Sequence, residues 1–144
     1  MKDSTHHVPL DLTAFLPFQM AIVSSRLFQR MMSEAGLQLP EWRIMMALPR
    51  HAPCSSNDLC VLTAMDAARV SRAQRRLDEL GMIEVIQDQE DRRRLVVTLT
   101  DRGQEESDRL NDLARDAEDQ MFGNMSEYDQ DTLRSALTTL YARS

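Results

Sequence analysis

Residues 66–103 constrain the fold more than any other stretch, because the spacing of their apolar side chains switches from helical to extended. They read DAARVSRAQRRLDELG, MIEVIQ, DQEDRRR and LVVTLTDRG. Ala67, Val70, Ala73, Leu77 and Leu80 recur every three or four residues, which makes one apolar stripe along a helix. Asp66 is suited to cap its start, since a carboxylate there accepts from the unpaired amides of the first turn, and Gly81 is suited to end it. Ala68, Arg72 and Arg75 point away from the stripe, and Arg69, Ser71 and Arg76 flank it. Four arginines and no acid fall between Ala67 and Leu77. A solvated helix normally mixes signs, so this one is built to meet an anion.

The following segment has the period of two expected of strands. Ile83 and Val85 share one face, and Leu95, Val97 and Leu99 alternate with Val96, Thr98 and Thr100. The loop between them ends in Arg92, Arg93 and Arg94, three like charges that repel unless a polyanion approaches. A basic helix followed by a basic β-wing suits DNA read in two grooves. The helix fits the major groove, and a wing arginine suits the narrow, electronegative minor groove.

These residues resemble the MarR family of winged helix-turn-helix transcriptional regulators. The resemblance is carried by Pro40-Glu41-Trp42-Arg43, by the helix with Asp66, Val70-Ser71-Arg72, Leu77 and Leu80-Gly81, and above all by the wing. There Asp88-x-x-Asp91-Arg92-Arg93 runs into Leu99-Thr100-x-x-Gly103. It covers roughly residues 12–141. It implies a mainly α fold with a small antiparallel β-wing: a winged helix-turn-helix region over residues 37–103, with the wing at 82–100, inside a single domain of residues 1–144. Helices at 12–35 and 104–142 would make a dimer interface. It also implies that Arg93 enters the minor groove, with Asp91 holding the loop or the arginine, while Arg92 and Arg94 meet phosphate.

The net charge of −6 argues against nucleic acid until its distribution is considered. Residues 1–65 carry five basic and five acidic groups, residues 66–102 eight of each, and residues 103–144 four basic against ten acidic. The last segment supplies the whole excess, and DNA responds to a local patch within a Debye length of about 8–10 Å. The start, MKDSTHHVPLD, lacks an apolar signal core, and no run is long enough to span a membrane, so the expected location is cytoplasmic. Two cysteines, Cys54 and Cys60, are too few for a disulfide framework and lack the spacing of a zinc site. His6 and His7 have no second cluster to complete a metal site, and no cofactor is expected.

The remaining chain is read as amphipathic helices. Residues 1–11 are polar and aperiodic. Thr13 is expected to cap a helix ending at Gly36, with Leu16, Met20, Val23, Leu27 and Met31 as its stripe and Pro17 in its first turn. Leu39-Pro40 opens a second helix and Pro49 closes it. Ser55-x-x-Asp58 caps a third, and Thr63-Ala64-Met65 is the turn into the arginine-bearing helix. A long helix over 101–122 and a last one capped by Ser126-x-x-Asp129 leave more apolar faces than a small winged module needs. A two-fold partner is the economical cover for them.

Arg26, Trp42, Arg43 and Met46 are the expected contacts of a small aromatic or anionic effector, on the strength of the resemblance and of arginines set among apolar side chains. Pairing of the two arginines with Glu34 and Glu41 is the structural alternative. The chain has no nucleophile–base set and no glycine-rich phosphate loop, so enzymatic activity is not expected. Two other readings stay open. One is redox sensing through Cys54, whose place before a helix start favours thiolate while nearby Asp58 opposes it. The other is a winged-helix interaction module without DNA.

Overall fold

The computed structural model describes Asp11 and residues 13–144. In chain order the elements are α1 (Leu16–Ala35), α2 (Leu39–His51), α3 (Ser56–Thr63), α4 (Ala67–Glu79), β1 (Ile83–Gln87), β2 (Leu95–Leu99), α5 (Asp101–Phe122) and α6 (Glu127–Arg143). The expected mainly α chain with one antiparallel hairpin is what is found. Apart from Asp11, the polar arm of residues 1–11, with His6 and His7, lies outside the described residues.

The central unit is built around α2, which touches α1, α3, α4, α5 and β2. Its Ile44, Met45 and Leu48 are fully buried, joined by Leu59 of α3, Val70 and Leu77 of α4 and Leu110 of α5. At about 25 cal/mol per Å² of apolar surface, each such side chain contributes roughly 1.5–3 kcal/mol. The helix opens as expected, with Pro in its first turn and the Gln38 amide donating to the Glu41 carboxylate at 2.7 Å. It does not close at Pro49, however, but runs to His51. Proline has no amide to give the Met45 carbonyl four residues earlier. That carbonyl instead faces the buried Ser107 hydroxyl of α5, 3.5 Å away, so the final turn continues without an orphaned acceptor.

Thr13 is not a cap. The helix starts after Phe15, and Thr13 donates its amide and hydroxyl to Asp11. Capping at Thr13 would place Pro17 where the first helical hydrogen bond must be donated; starting after Phe15 puts it in the first turn, where no donor is needed.

The caps around the basic helix form as the sequence implies. Asp66 accepts from the Arg69 amide at 2.8 Å, and that bond is the main reason its carboxyl titrates below the usual range. At the other end Gly81 is left-handed (φ 70°); its amide reaches the Asp78 carbonyl and that of Met82 reaches Leu77. This is the paired closure that glycine permits without steric cost. The helix therefore stops at Glu79, with Leu80 as its C-cap. Ala67 is exposed, so the buried stripe is Val70, Ala73 and Leu77.

The strands pair in register Ile83↔Leu99 and Val85↔Val97. Ile83 and Val97 are buried, but Val85 is half exposed. The hairpin projects past the core, and only its base has anything to pack on. Cys54 adds a third, one-residue rung: its amide and carbonyl both bond Val97, at 3.2 and 2.8 Å. Gly103 seals the joint between wing and α5, since a Cβ there would stand 1.8 Å from the Met82 carbonyl oxygen.

The outer helices end differently. α1 buries only Met31 and Ala35, and α6 buries nothing. Leu16, Met20 and Val23 of α1 and Leu133, Leu137 and Leu140 of α6 are exposed. Some of them line an apolar groove of about 580 Å³ between α1, α5 and α6.

Candidate nucleic-acid interface

α3 and α4 meet through a turn in which Ala64 takes the left-handed conformation (φ 52°) that glycine adopts more cheaply. This turn directs the outer face of α4 to solvent. Ala68, Arg69, Ser71, Arg72, Arg75 and Arg76 are all exposed, opposite buried Val70, Ala73 and Leu77. Arg69 and Arg76 have acidic neighbours on their own helix, Asp66 at 3.5 Å and Glu79 at 3.8 Å. Arg72 and Arg75 make no hydrogen bond or ion pair within 4 Å among the described residues. Exposed pairs of this kind hold a side chain by no more than about 1 kcal/mol, so all four guanidinium groups can turn to a phosphate or a base.

The wing tip is an ordered turn. Asp88 donates its amide to the Arg94 carbonyl and Arg94 donates its own to the Asp91 carbonyl, both at 2.9 Å. The Asp91 side chain accepts from the Arg93 amide at 3.0 Å, so it holds the loop and not the guanidinium. Arg92 and Arg93 are exposed, with no side-chain partner among the described residues. Arg94 departs from the expected picture of three repelling charges. It reaches back to Asp58 in the first turn of α3, with Nη2 and Oδ2 3.1 Å apart.

The expected effector residues separate into two places. Trp42, Arg43 and Met46 line one cleft of about 480 Å³, bounded by Phe28 of α1, the end of α3 and Tyr141 of α6. Arg26 is not among them; with Arg30 it lines a groove between α1 and α5 that also holds Glu34 and Asp116. Nor do the suggested carboxylates take the roles considered for them. Glu34 lies 3.7 Å from Arg30, Glu41 closes the start of α2, and Arg43 donates to the Thr63 carbonyl at 3.3 Å. The Trp42 cleft has Arg43, Arg50 and His51 along one edge, and among the described residues no carboxylate lines it. Arg50, His51, Phe28 and Tyr141 join the cleft beyond the residues expected there. Residues 42, 43, 46, 47 and 50 do share one helical face, which was a readable signal for Arg50.

Cys54 is buried beside β2. Its thiol is pushed above its ordinary value, chiefly by burial and further by the Asp58 carboxylate. No helix among the described residues is long and apolar enough to cross a membrane.

A helix with an outward arginine face, presented by a helix-turn-helix and flanked by a basic hairpin, defines a winged helix-turn-helix protein. The MarR family model matches residues 35–94, from the end of α1 to the wing tip. A probable transcriptional regulator from Pseudomonas aeruginosa is 32% identical over 88% of this chain and 99% of its own, with a TM-score of 0.73. BpsR of Bordetella bronchiseptica, whose DNA binding is regulated by 6-hydroxynicotinic acid, is 23% identical over 93% of this chain and 98% of its own (TM-score 0.80). The repressor CouR, solved on a 23-mer DNA duplex, is 18% identical over 93% and 99% (TM-score 0.80). A search of curated protein sequences finds no match. The chain belongs to the MarR family of transcriptional regulators.

Proposed function

We propose that this regulator is a homodimeric repressor that binds a pseudo-palindromic operator and is released from it by a small aromatic anion. The observation that carries the reading is the place of the Trp42 cleft. It joins α1 and α6, whose apolar faces need a partner, to the end of α3 that leads into the DNA-facing helix. Arg43 spans this junction through the Thr63 carbonyl, one residue before the strained Ala64 turn. An anion drawing Arg43 away from Thr63 would act on the turn that aims α4. Trp42 and Met46 supply apolar surface for an aromatic ring, and the volume falls within the usual range of about 300–1,000 Å³ for small-molecule sites. Two α4 helices related by a two-fold would enter successive major grooves, with half-site centres about 10–10.5 base pairs apart.

Arg69, Arg72 and Arg75 divide between base edges and phosphates in this arrangement, with Ser71 on phosphate and Arg93 in the minor groove. Linkage sets what the effector must do: each tenfold loss of operator affinity needs about 1.4 kcal/mol of preference for the DNA-incompetent arrangement. The test is a gel shift against the protein's own upstream region, repeated with a set of phenolic carboxylates. Retention that one of them abolishes, and that Arg43→Ala renders insensitive, supports the proposal. Failure to retain any upstream fragment at low salt, or a monomer at micromolar concentration in light scattering, would refute it.

A further inference from the structure

The Arg94–Asp58 contact stands apart from the other ion pairs on the DNA-facing side. Arg69–Asp66 and Arg76–Glu79 join neighbours on one helix, whereas Arg94 and Asp58 join the wing to α3, thirty-six residues apart in sequence. Both partners are held in place before they meet. The Asp58 carboxylate already accepts from the Ser55 amide and hydroxyl, at 2.8 and 2.7 Å, so it is oriented by its role in the α3 cap. The Arg94 backbone closes the wing turn through both its carbonyl and its amide. Close by, Cys54 and Val97 exchange two backbone hydrogen bonds, so β2 is fastened to the entry of α3 at a second point. A hairpin tied to α3 at Val97 and again just before β2 has less freedom to swing about its base than a free wing would.

We propose that Arg94 is a positioning residue: paired with Asp58, it braces the wing against α3 and so delivers Arg93 to the minor groove, while making no phosphate contact itself. This rests on the reading of α4 and the wing as a DNA-binding surface. The division of labour follows from the turn. Asp91 holds the Arg93 amide, Arg94 is drawn back toward the protein, and Arg93 remains at the tip with its guanidinium in solvent. The brace sets direction more than strength, so its loss should appear first as a loss of preference between DNA flanks of different groove width.

The experiment compares wild type, Arg94→Ala, Asp58→Asn and the double variant on operators whose flanks are A·T-rich or G·C-rich, over a range of salt. Hydrogen exchange of the free proteins supplies a readout that needs no DNA. The brace predicts that each single variant loses about threefold in affinity for the A·T-flanked duplex and a similar factor in flank preference. The double variant should be no worse than either single one, and the salt slope should stay unchanged. In free Asp58→Asn, the Asp88 and Arg94 amides should exchange faster by a similar factor, beyond any change within α3. A direct bond from Arg94 to phosphate predicts the opposite pattern: Arg94→Ala flattens the salt slope by about 0.9 for each phosphate no longer neutralised, and Asp58→Asn tightens binding. That pattern, or unchanged wing-tip exchange in Asp58→Asn, would overturn the brace. Wild type that binds neither duplex refutes the DNA-binding reading instead, and the exchange result then still decides the brace.

Discussion

α2 and α6 carry apolar residues at the same helical spacing, yet α2 buries Ile44, Met45 and Leu48 completely while α6 leaves Leu133, Leu137, Leu140 and Tyr141 exposed. The difference lies in what surrounds them. α2 is covered by α1, α3, α4 and α5, whereas α6 has α5 and α1 on one side and solvent on the other. An amphipathic stripe states that a face must be covered; it does not say by what. In the central unit the chain supplies the cover, and at α1 and α6 the proposed second copy does. The two regions should therefore respond differently to substitution: the first in folding, the second in assembly.

The largest effect is expected at Gly103, where an added Cβ would collide with backbone that cannot move aside. Gly103→Ala should cost about 3 kcal/mol, lowering the melting temperature by roughly 6–12 °C with the proposed dimer interface untouched. Calorimetry checks this, and a loss under about 1 kcal/mol would show that the wing–α5 joint is looser than the structure implies. Leu137→Glu tests the other region. Placing a carboxylate on the apolar face should shift the particle toward the 16.5 kDa of one chain and weaken operator binding about tenfold or more, with the central unit still folded. Light scattering with far-ultraviolet circular dichroism separates the two results; an unchanged dimer would place the interface elsewhere.

Smaller effects refine the picture of the central unit. Burial and the Asp58 charge both favour the neutral Cys54 thiol, so its contribution to stability is present below the unfolded thiol's ordinary value and declines as pH rises through that value and the raised folded one. At about pH 8 Cys54 should be alkylated about tenfold more slowly than Cys60, and peroxide should leave operator binding intact. A loss of binding that dithiothreitol restores and Cys54→Ser prevents would revive redox sensing. The smallest change is expected from Ala64→Gly. It relieves a left-handed alanine but loosens the unfolded chain, for a net gain of about 0.5–1 kcal/mol in urea unfolding.

Much of the central unit was legible in the sequence because its signals are local. Asp66, Ser55 with Asp58, and Gly81 each act within a turn or two of their own position, and the helices begin or end where they stand. The departures lie where a distant partner decides. Pro49 reads as a stop until Ser107 meets the carbonyl that it leaves unpaired. Ile83 and Val85 share one face in the sequence, yet only Ile83 is buried, because the hairpin outruns the core. Arg94 reads as a phosphate contact like Arg92 until Asp58 draws it back toward α3. Arg26 has the same local setting as Arg43, and only the packing of α1 on α5 puts it in a different groove. Cys54 gives no strand signal, since a single rung has no period.

The central claim is that the exposed face of α4 reads DNA, and the most direct measurement is fluorescence anisotropy on the operator across a salt series. Wild type should lose affinity steeply as salt rises, with a slope of about −0.9 for each phosphate neutralised. Arg72→Ala should cost about 1–3 kcal/mol if its partner is a base, or reduce the slope by about 0.9 if its partner is a phosphate. Arg143→Ala, at the far end of α6, should do neither. Equal responses from Arg72→Ala and Arg143→Ala, or salt-independent binding by wild type, would contradict the assignment of α4 as the recognition helix.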